Sequence, residues 1–301
     1  MNILLCGASG FIGQRIAQAL RAAGHRVVGA RSGRQGSAKA QAQGSDGITV
    51  DFNRDTDAAT WLPRLAGIDA VVNAVGVLRD TRQRPIKAVH ELTPKALFDA
   101  CAQAGVKRVI QVSALGIVGS DTAYARTKLS ADTHLLALAD HGKLSAVVLR
   151  PSIVFGAGGA SSQLFMGLAR SPLLCLPQAV IQARVQPVSV KDLADAVARL
   201  LGEQVGVQGI LHCVGPTPLT MADFVASLRS QLGSGKALVA PLPGPITQLS
   251  ARIGDLIPAM PWCSETMAML ATDNVAPPQP FAEVLGRAAV APGDLVQTAW
   301  R

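Results

Sequence analysis

The chain has 301 residues, 49% of them apolar and 4% aromatic, with a formal net charge of +8; that is enough to fill one large globular domain or two small ones. Its Lys and Arg residues are scattered, no basic block is interleaved with aromatics and there is a single tyrosine, so no nucleic-acid partner is expected. No apolar run reaches the roughly 18 residues of a membrane span and no basic stretch precedes a cleavable apolar one, so a cytoplasmic protein with no membrane span is expected.

Taken in order, short β-rich apolar runs at residues 2–6, 26–29, 48–51, 70–73, 108–113 and 146–149 predict strands, separated by helical patterns such as 10–23 and 92–104. This βαβ alternation predicts an α/β fold with a Rossmann-type doubly wound parallel sheet and helices on both faces. Residues 185–214 return to the same style, so 1–154 and 185–214 form the expected dinucleotide-binding domain. Residues 155–184 and 215–301, richer in Pro and Gly, form a smaller, discontinuous substrate lobe over the C-terminal strand edges. Apolar residues of 155–176 and 246–270, Trp262 among them, supply either that lobe's core or a substrate pocket. The polar stretch 32–47 reads as a mobile excursion. Cys6, Cys101, Cys175, Cys213 and Cys263 are an odd number with no CxxC pair, which reads as buried free thiols in a reducing compartment. His25, His90, His134, His141 and His212 lack metal-ligand spacing, and no metal is expected.

In "LLCGASGFIGQRIAQAL" a strand ends at Cys6, a Gly-Ala-Ser-Gly turn follows and a helix begins near Phe11. Such a turn suits a dinucleotide: Gly10 lets backbone approach a pyrophosphate at the helix N-terminus and Gly13 lets helix and strand pack closely. Gly7, Ser9, Gly10, Phe11, Ile12 and Gly13 are therefore candidate cofactor residues; a turn that merely packs tightly is the alternative. After the second strand, "VVGARSGR" places Arg31, Ser32 and Arg34 where an acidic residue would bind ribose hydroxyls. A guanidinium suits a 2′-phosphate, which favours NADP(H) with NAD(H) as the alternative; the same arginines also suit a solvated loop. Asn73, Ala74, Val75 and Gly76, after the fourth strand, suit either a cofactor wall or a tightly packed strand end. Arg79, Arg82 and Arg84 follow in a loop that is either solvated or attracts an anionic substrate.

Tyr124 and Lys128 stand four residues apart in "YARTK", so on a helix both project from one face. The Lys128 ammonium can then lower the phenol's pKa and reach ribose hydroxyls, while Tyr124 exchanges a proton with a substrate alcohol or carbonyl. An isolated pair at this spacing also suits a plain surface position.

The GxxGxxG spacing resembles the extended and atypical short-chain dehydrogenase/reductases, of the NAD(P)-dependent epimerase/dehydratase kind. The resemblance continues in order through "VDF" (50–52), "VVNAVG" (71–76), "VSALG" (112–116), "YARTK" (124–128), "LRPSIVFG" (149–156) and "QPVSVKDLADAV" (186–197), covering roughly the first 215 residues. Its motif style is similar to the Rossmann-fold accessory subunit of respiratory complex I and its bacterial relatives. The resemblance implies that Asp51 contacts the adenine amine with Phe52 beside the ring, and that Val112 and Lys128 contact the cofactor. It also implies that Pro151, Ser152, Ile153 and Val154 form a turn beside the nicotinamide carboxamide, and that Ser113 hydrogen-bonds the substrate oxygen. Anchored on "IVG", however, the family's usual hydroxyl position falls on Ala114, which leaves Ser113 either in that role or satisfying its own loop.

The expected function is that of an NAD(P)-dependent oxidoreductase or epimerase/dehydratase-like enzyme acting on a small carbonyl or alcohol, as monomer or homodimer. A non-catalytic dinucleotide-binding redox sensor or scaffold with a protein partner is the competing expectation, and an RNA-binding relative of the superfamily is a third.

Overall fold

A computed structural model describes residues 1–32, 47–202, 206–256 and 264–299. Arg34, Trp262, Cys263 and nearly all of the 32–47 excursion lie outside the described residues. Ile3, Leu4, Leu5 and Cys6 are each wholly shielded from solvent, as a strand covered on both faces requires. They belong to β1 (Asn2–Cys6), which pairs in parallel with β2 (Arg26–Ser32) on one side and β4 (Ala70–Asn73) on the other. β3 (Gly47–Val50), β5 (Arg108–Val112) and β6 (Ser145–Pro151) extend the parallel ladder. With the strand Gly209–Cys213 at one edge, the order among the described residues is Gly209–Cys213, β6, β5, β4, β1, β2, β3. The order reverses on either side of β1, the doubly wound arrangement in which ligands bind beyond the strands' carboxyl ends.

The chain divides into two compact units. The first comprises residues 1–117, 123–150 and 194–211 and holds the sheet; its core includes Phe98, Trp61 and Leu97 beneath the strands. α1 (Phe11–Ala22) turns Gly13, Ile16, Ala17 and Leu20 inward, one apolar stripe at helical period. The expected helix 92–104 is Thr93–Ala104, but a π-helical turn, Ala88–Leu92, runs into it. Pro94 has no N–H to hold an α-helical ladder there, and Thr93 is tied by its hydroxyl to Phe52 O at 2.8 Å.

The second unit comprises 118–122, 151–193 and 212–301, with Phe155, Phe165 and Phe224 stacked edge to face in its core. Residues 151–154, 185–193 and 212–214, grouped by pattern with the cofactor domain, fall in this unit. Within it Val154–Phe155 forms a two-stranded parallel ladder with Val188–Ser189, and Ser152 Oγ donates to Asn274 O at 3.1 Å. The expectation of buried thiols holds for Cys6, Cys101 and Cys213 but fails at Cys175, which is exposed. Strand alternation in Leu173–Pro177 puts Cys175 outward on the same side as Leu173. Among the described residues no helix is long and apolar enough to cross a membrane.

The glycine turn locks α1 to the sheet and can be tested directly. A Cβ at Gly13 would lie 1.9 Å from Gly7 O, against backbone that cannot swing away, whereas one at Gly167, inside the helix Ala160–Arg170, meets nothing within 4 Å. Gly13→Ala is expected to lower the unfolding free energy by roughly 1–3 kcal/mol, and Gly167→Ala to raise it by up to about 1 kcal/mol, both read by denaturant unfolding.

Candidate active site

The first βα turn sets the floor of the site. Gly7 has φ +82°, a conformation L side chains rarely adopt, and a Cβ there would stand 2.9 Å from Ala74 O at the end of β4. Gly10 N donates to Gly7 O at 2.9 Å, closing the turn, and a Cβ on Gly10 would meet only that oxygen, at 3.3 Å. Its remaining surroundings are open. α1 begins at this glycine with no side-chain cap and no acidic residue in its first turn, so the N–H groups at its positive end suit an anion.

A cleft of about 450 Å³ opens over this turn. Gly7, Ser9 and Gly10 line it with Ser32, Asp51, Phe52, Ala74, Val75 and Gly76, so the structure brings these expected cofactor residues together. Gln83 and Arg84 line it too: Asn53 Nδ2 donates to Gln83 O at 2.8 Å, drawing the arginine loop against the segment after β3. Asp51 both lines the cleft and caps its turn, its Oδ1 accepting from Asn53 N at 3.0 Å. That segment is held from below, where Asp55 Oδ2 accepts from Asp51 N at 2.7 Å and from Arg64 at 2.6 Å, and Asp55 O accepts from the buried Trp61 indole at 2.8 Å.

Other expected residues take supporting places. Gly13 is buried within α1, and Phe11 and Ile12 are partly buried at its start. Asn73 is wholly buried; its amide donates to Gln111 Oε1 at 2.8 Å and its oxygen accepts from Val75 N at 3.2 Å, which fixes the exit of β4. Arg31 is partly buried and reaches back along β2: a Cβ on Gly29 would lie 3.9 Å from Arg31 Nε and 3.3 Å from Ala8 Cβ, in the glycine turn. Pro151, Ser152, Ile153 and Val154 belong to the second unit, where Ser152 Oγ accepts from Gln186 N at 3.3 Å.

Tyr124 stands in the first turn of the helix Ala123–Asp140, with Lys128 one turn further along. Lys128 is no surface residue: it is 4% exposed, its ammonium donates to Val112 O at 3.0 Å, and it lies 3.5 Å from where a Gly76 Cβ would be. Burial pulls Lys128 down to about 8, an effect the Asp132 carboxylate opposes. The expected lowering of the phenol is reversed: burial, with Asp132 adding to it, pushes Tyr124 up to about 12. Ser113 is buried and donates its one hydroxyl proton to Asp132 Oδ2 at 2.7 Å. The same oxygen takes Arg150 Nε and Nη2 at 3.2 and 3.1 Å.

His90 is a site residue that sequence reasoning passed over. Its Nε2 accepts from Val77 N at 2.9 Å, just past Gly76, so the neutral ring carries its proton on Nδ1, 3.4 Å from Thr127 Oγ1. The ring meets Tyr124 edge to face at 5.1 Å. Burial, then the nearby Lys128 charge, push His90 down to about 2, so it stays neutral. A histidine in the apolar "KAVHELTP" run ahead of a proline was the available signal, since π-helical turns often mark functional sites.

The family model for the NAD dependent epimerase/dehydratase family matches residues 3–212. In sequence the chain is similar to UDP-glucose 4-epimerase of Vibrio cholerae, 24% identical over 256 residues, covering 77% of this chain and 76% of that protein. It is also similar to an epimerase family protein of Mycobacterium leprae, 26% identical over 278 residues, covering 80% and 78%. In fold it resembles the NADPH-dependent quinone oxidoreductase of Escherichia coli complexed with NADPH, with TM-score 0.74, 17% identity and coverage of 99% and 100%. It likewise resembles UDP-glucuronic acid 4-epimerase of Bacillus cereus in complex with UDP-glucuronic acid and NAD, with TM-score 0.71, 16% identity and coverage of 100% and 98%. With its glycine turn, its cleft and a family match over most of its length, the chain belongs to the NAD dependent epimerase/dehydratase family and is an NAD(P)-dependent enzyme of the short-chain dehydrogenase/reductase type.

Proposed function

We propose that the protein is a cytoplasmic, NADP(H)-preferring oxidoreductase that interconverts a small carbonyl compound and its alcohol. One observation carries this reading: the only tyrosine of the chain sits one helical turn from a buried ammonium that is anchored on Val112 O beside the Gly76 backbone. The cradle fits a dinucleotide. The open, uncapped start of α1 and Gly10 suit its pyrophosphate, Arg31 and Ser32 a 2′-phosphate, Asp51 and Phe52 the adenine, and Lys128 the ribose next to the nicotinamide. When bound, the nicotinamide supplies or accepts hydride.

The chain's own groups handle the proton. With its phenol near 12, Tyr124 is protonated at neutral pH and acts as an acid, delivering its Oη proton to the substrate oxygen during reduction. Neutral His90 fixes the Gly76–Val77 backbone and packs edge to face with the Tyr124 ring. Lys128 supplies the positive charge on which an anionic ligand and a developing phenolate both draw. Ser113 supports a second reading: its proton is committed to Asp132, so it offers no donor to a substrate oxygen, as suits a dinucleotide-binding sensor or scaffold. Turnover separates the two.

Arg31→Ala is expected to weaken NADPH binding about 10- to 100-fold while leaving NADH affinity nearly unchanged, read by calorimetric titration. Tyr124→Phe is expected to cut reduction of a carbonyl panel by roughly 10²- to 10⁴-fold with little effect on NADPH affinity; equal turnover by both proteins contradicts the acid role.

The pH dependence follows from Lys128. Its ammonium is lost as pH rises through about 8, so NADPH affinity is flat on the acid side and falls above that point. His90 adds no inflexion near neutrality. In Lys128→Arg the alkaline fall is expected to vanish over the same range, since a guanidinium keeps its charge.

A further inference from the structure

The second unit contains an apolar cavity of about 260 Å³ that the cofactor chemistry does not use. Leu168, Leu176, Val180, Met221 and Leu270 wall it; among the described residues its polar lining comes from the exposed Cys175 and from Ser250, whose hydroxyl donates to Thr247 O at 2.8 Å. Among the described residues no charged side chain lines it.

The helix Gly244–Leu256, which contributes Ser250, has its faces inverted. Thr247, Ala251 and Gly254 are its buried residues, while Ile246, Leu249 and Ile253 are 53%, 60% and 48% exposed. The exposed three recur at i, i+3 and i+7, the spacing normally turned to a core. Small residues thus face inward and large apolar ones outward. Both halves of this arrangement cost stability: small side chains facing an apolar cavity forgo packing, and large apolar ones are left in water. Bulkier residues on the inner face would close the void; this sequence keeps it open.

We propose that this cavity binds an uncharged, largely hydrocarbon ligand of about ten non-hydrogen atoms. The size follows from comparison with an apolar cavity of about 150 Å³ that takes benzene. The chemistry follows from the lining, whose described residues offer nothing to pair with a charge and a single hydroxyl already engaged with its own helix. The site lies wholly within the second unit and does not rest on the proposed reaction.

Naphthalene, decan-1-ol and, as a charged counterpart, naphthalene-2-sulfonate are titrated into the intact chain by calorimetry. Alkylation of Cys175 by N-ethylmaleimide is followed in the same samples by peptide mass. Saturable one-site binding of the two neutral probes is expected, with the sulfonate at least about tenfold weaker and alkylation of Cys175 slowed at saturation. Ser250→Leu, which fills the void from the helix, is expected to weaken naphthalene binding by about tenfold or more. Absence of saturable binding to the unaltered chain overturns the proposal. So does binding that leaves Cys175 equally reactive, which would mean adsorption on the exposed Ile246, Leu249 and Ile253; the Cys175 readout needs no variant to fold.

Discussion

Three ionisable side chains are buried together where the helix Ala123–Asp140 meets β5 and β6, and the site depends on how they hold one another. Asp132 is wholly shielded, Lys128 is 4% exposed and Arg150 6%. Removing one partner of such a group strands a charge out of water, at a cost of about 3–5 kcal/mol. Asp132 Oδ2 takes both Arg150 and Ser113, while its Oδ1 has no hydrogen-bond partner among the described residues. Tyr124, Lys128 and Asp132 fall at i, i+4 and i+8, one stripe along the helix. Slipping the helix by one residue would turn the stripe through about 100°, pulling Asp132 off Arg150 and Lys128 off Val112 O together. The rotational setting of Tyr124 is therefore decided two turns away from it.

The same burial explains why the phenol is not acidified. An ammonium one turn along a helix lowers a phenol's pKa only when its field is not cancelled. Here Asp132 sits one turn beyond Lys128, and its charge pushes Tyr124 upward as does burial itself. Burial also pulls Lys128 down, since an ammonium is disfavoured out of water. The result is a pair poised with the proton on tyrosine and a lysine that titrates within reach of ordinary conditions. This polarity favours giving a proton over taking one.

The parts legible in the sequence are those fixed by local pattern. Continuous apolar runs marked β1, β4 and β5 because both faces of these strands are covered, and the glycine turn announced itself through spacing. What was not legible depends on distant partners. Asp132 reads as an ordinary helical acid until Arg150 and Ser113, from two different strand ends, are found around it. His90 takes its meaning from Val77 N, and Ser113 loses a free proton to a residue nineteen positions on. The partner of residues 154–155 is equally distant: Val154–Phe155 extends the sequence style of β6 yet pairs with Val188–Ser189.

The glycine motif itself separates into two demands. Gly7 and Gly13 are required by the protein: one needs a positive φ beside Ala74 O, and the other lies so close to Gly7 O that no side chain fits. Any fold that packed α1 this tightly would need both, with or without a ligand. Gly10 is different, because a Cβ there would meet one oxygen at 3.3 Å and otherwise point into open space. Internal packing barely restrains that position, and the helix that starts from it carries neither a side-chain cap nor an acidic first turn. An uncapped helix start facing a cleft leaves polar N–H groups for something outside the chain to satisfy. Room for an anion therefore comes from Gly10 and the bare first turn of α1, and the two flanking glycines hold that turn in place.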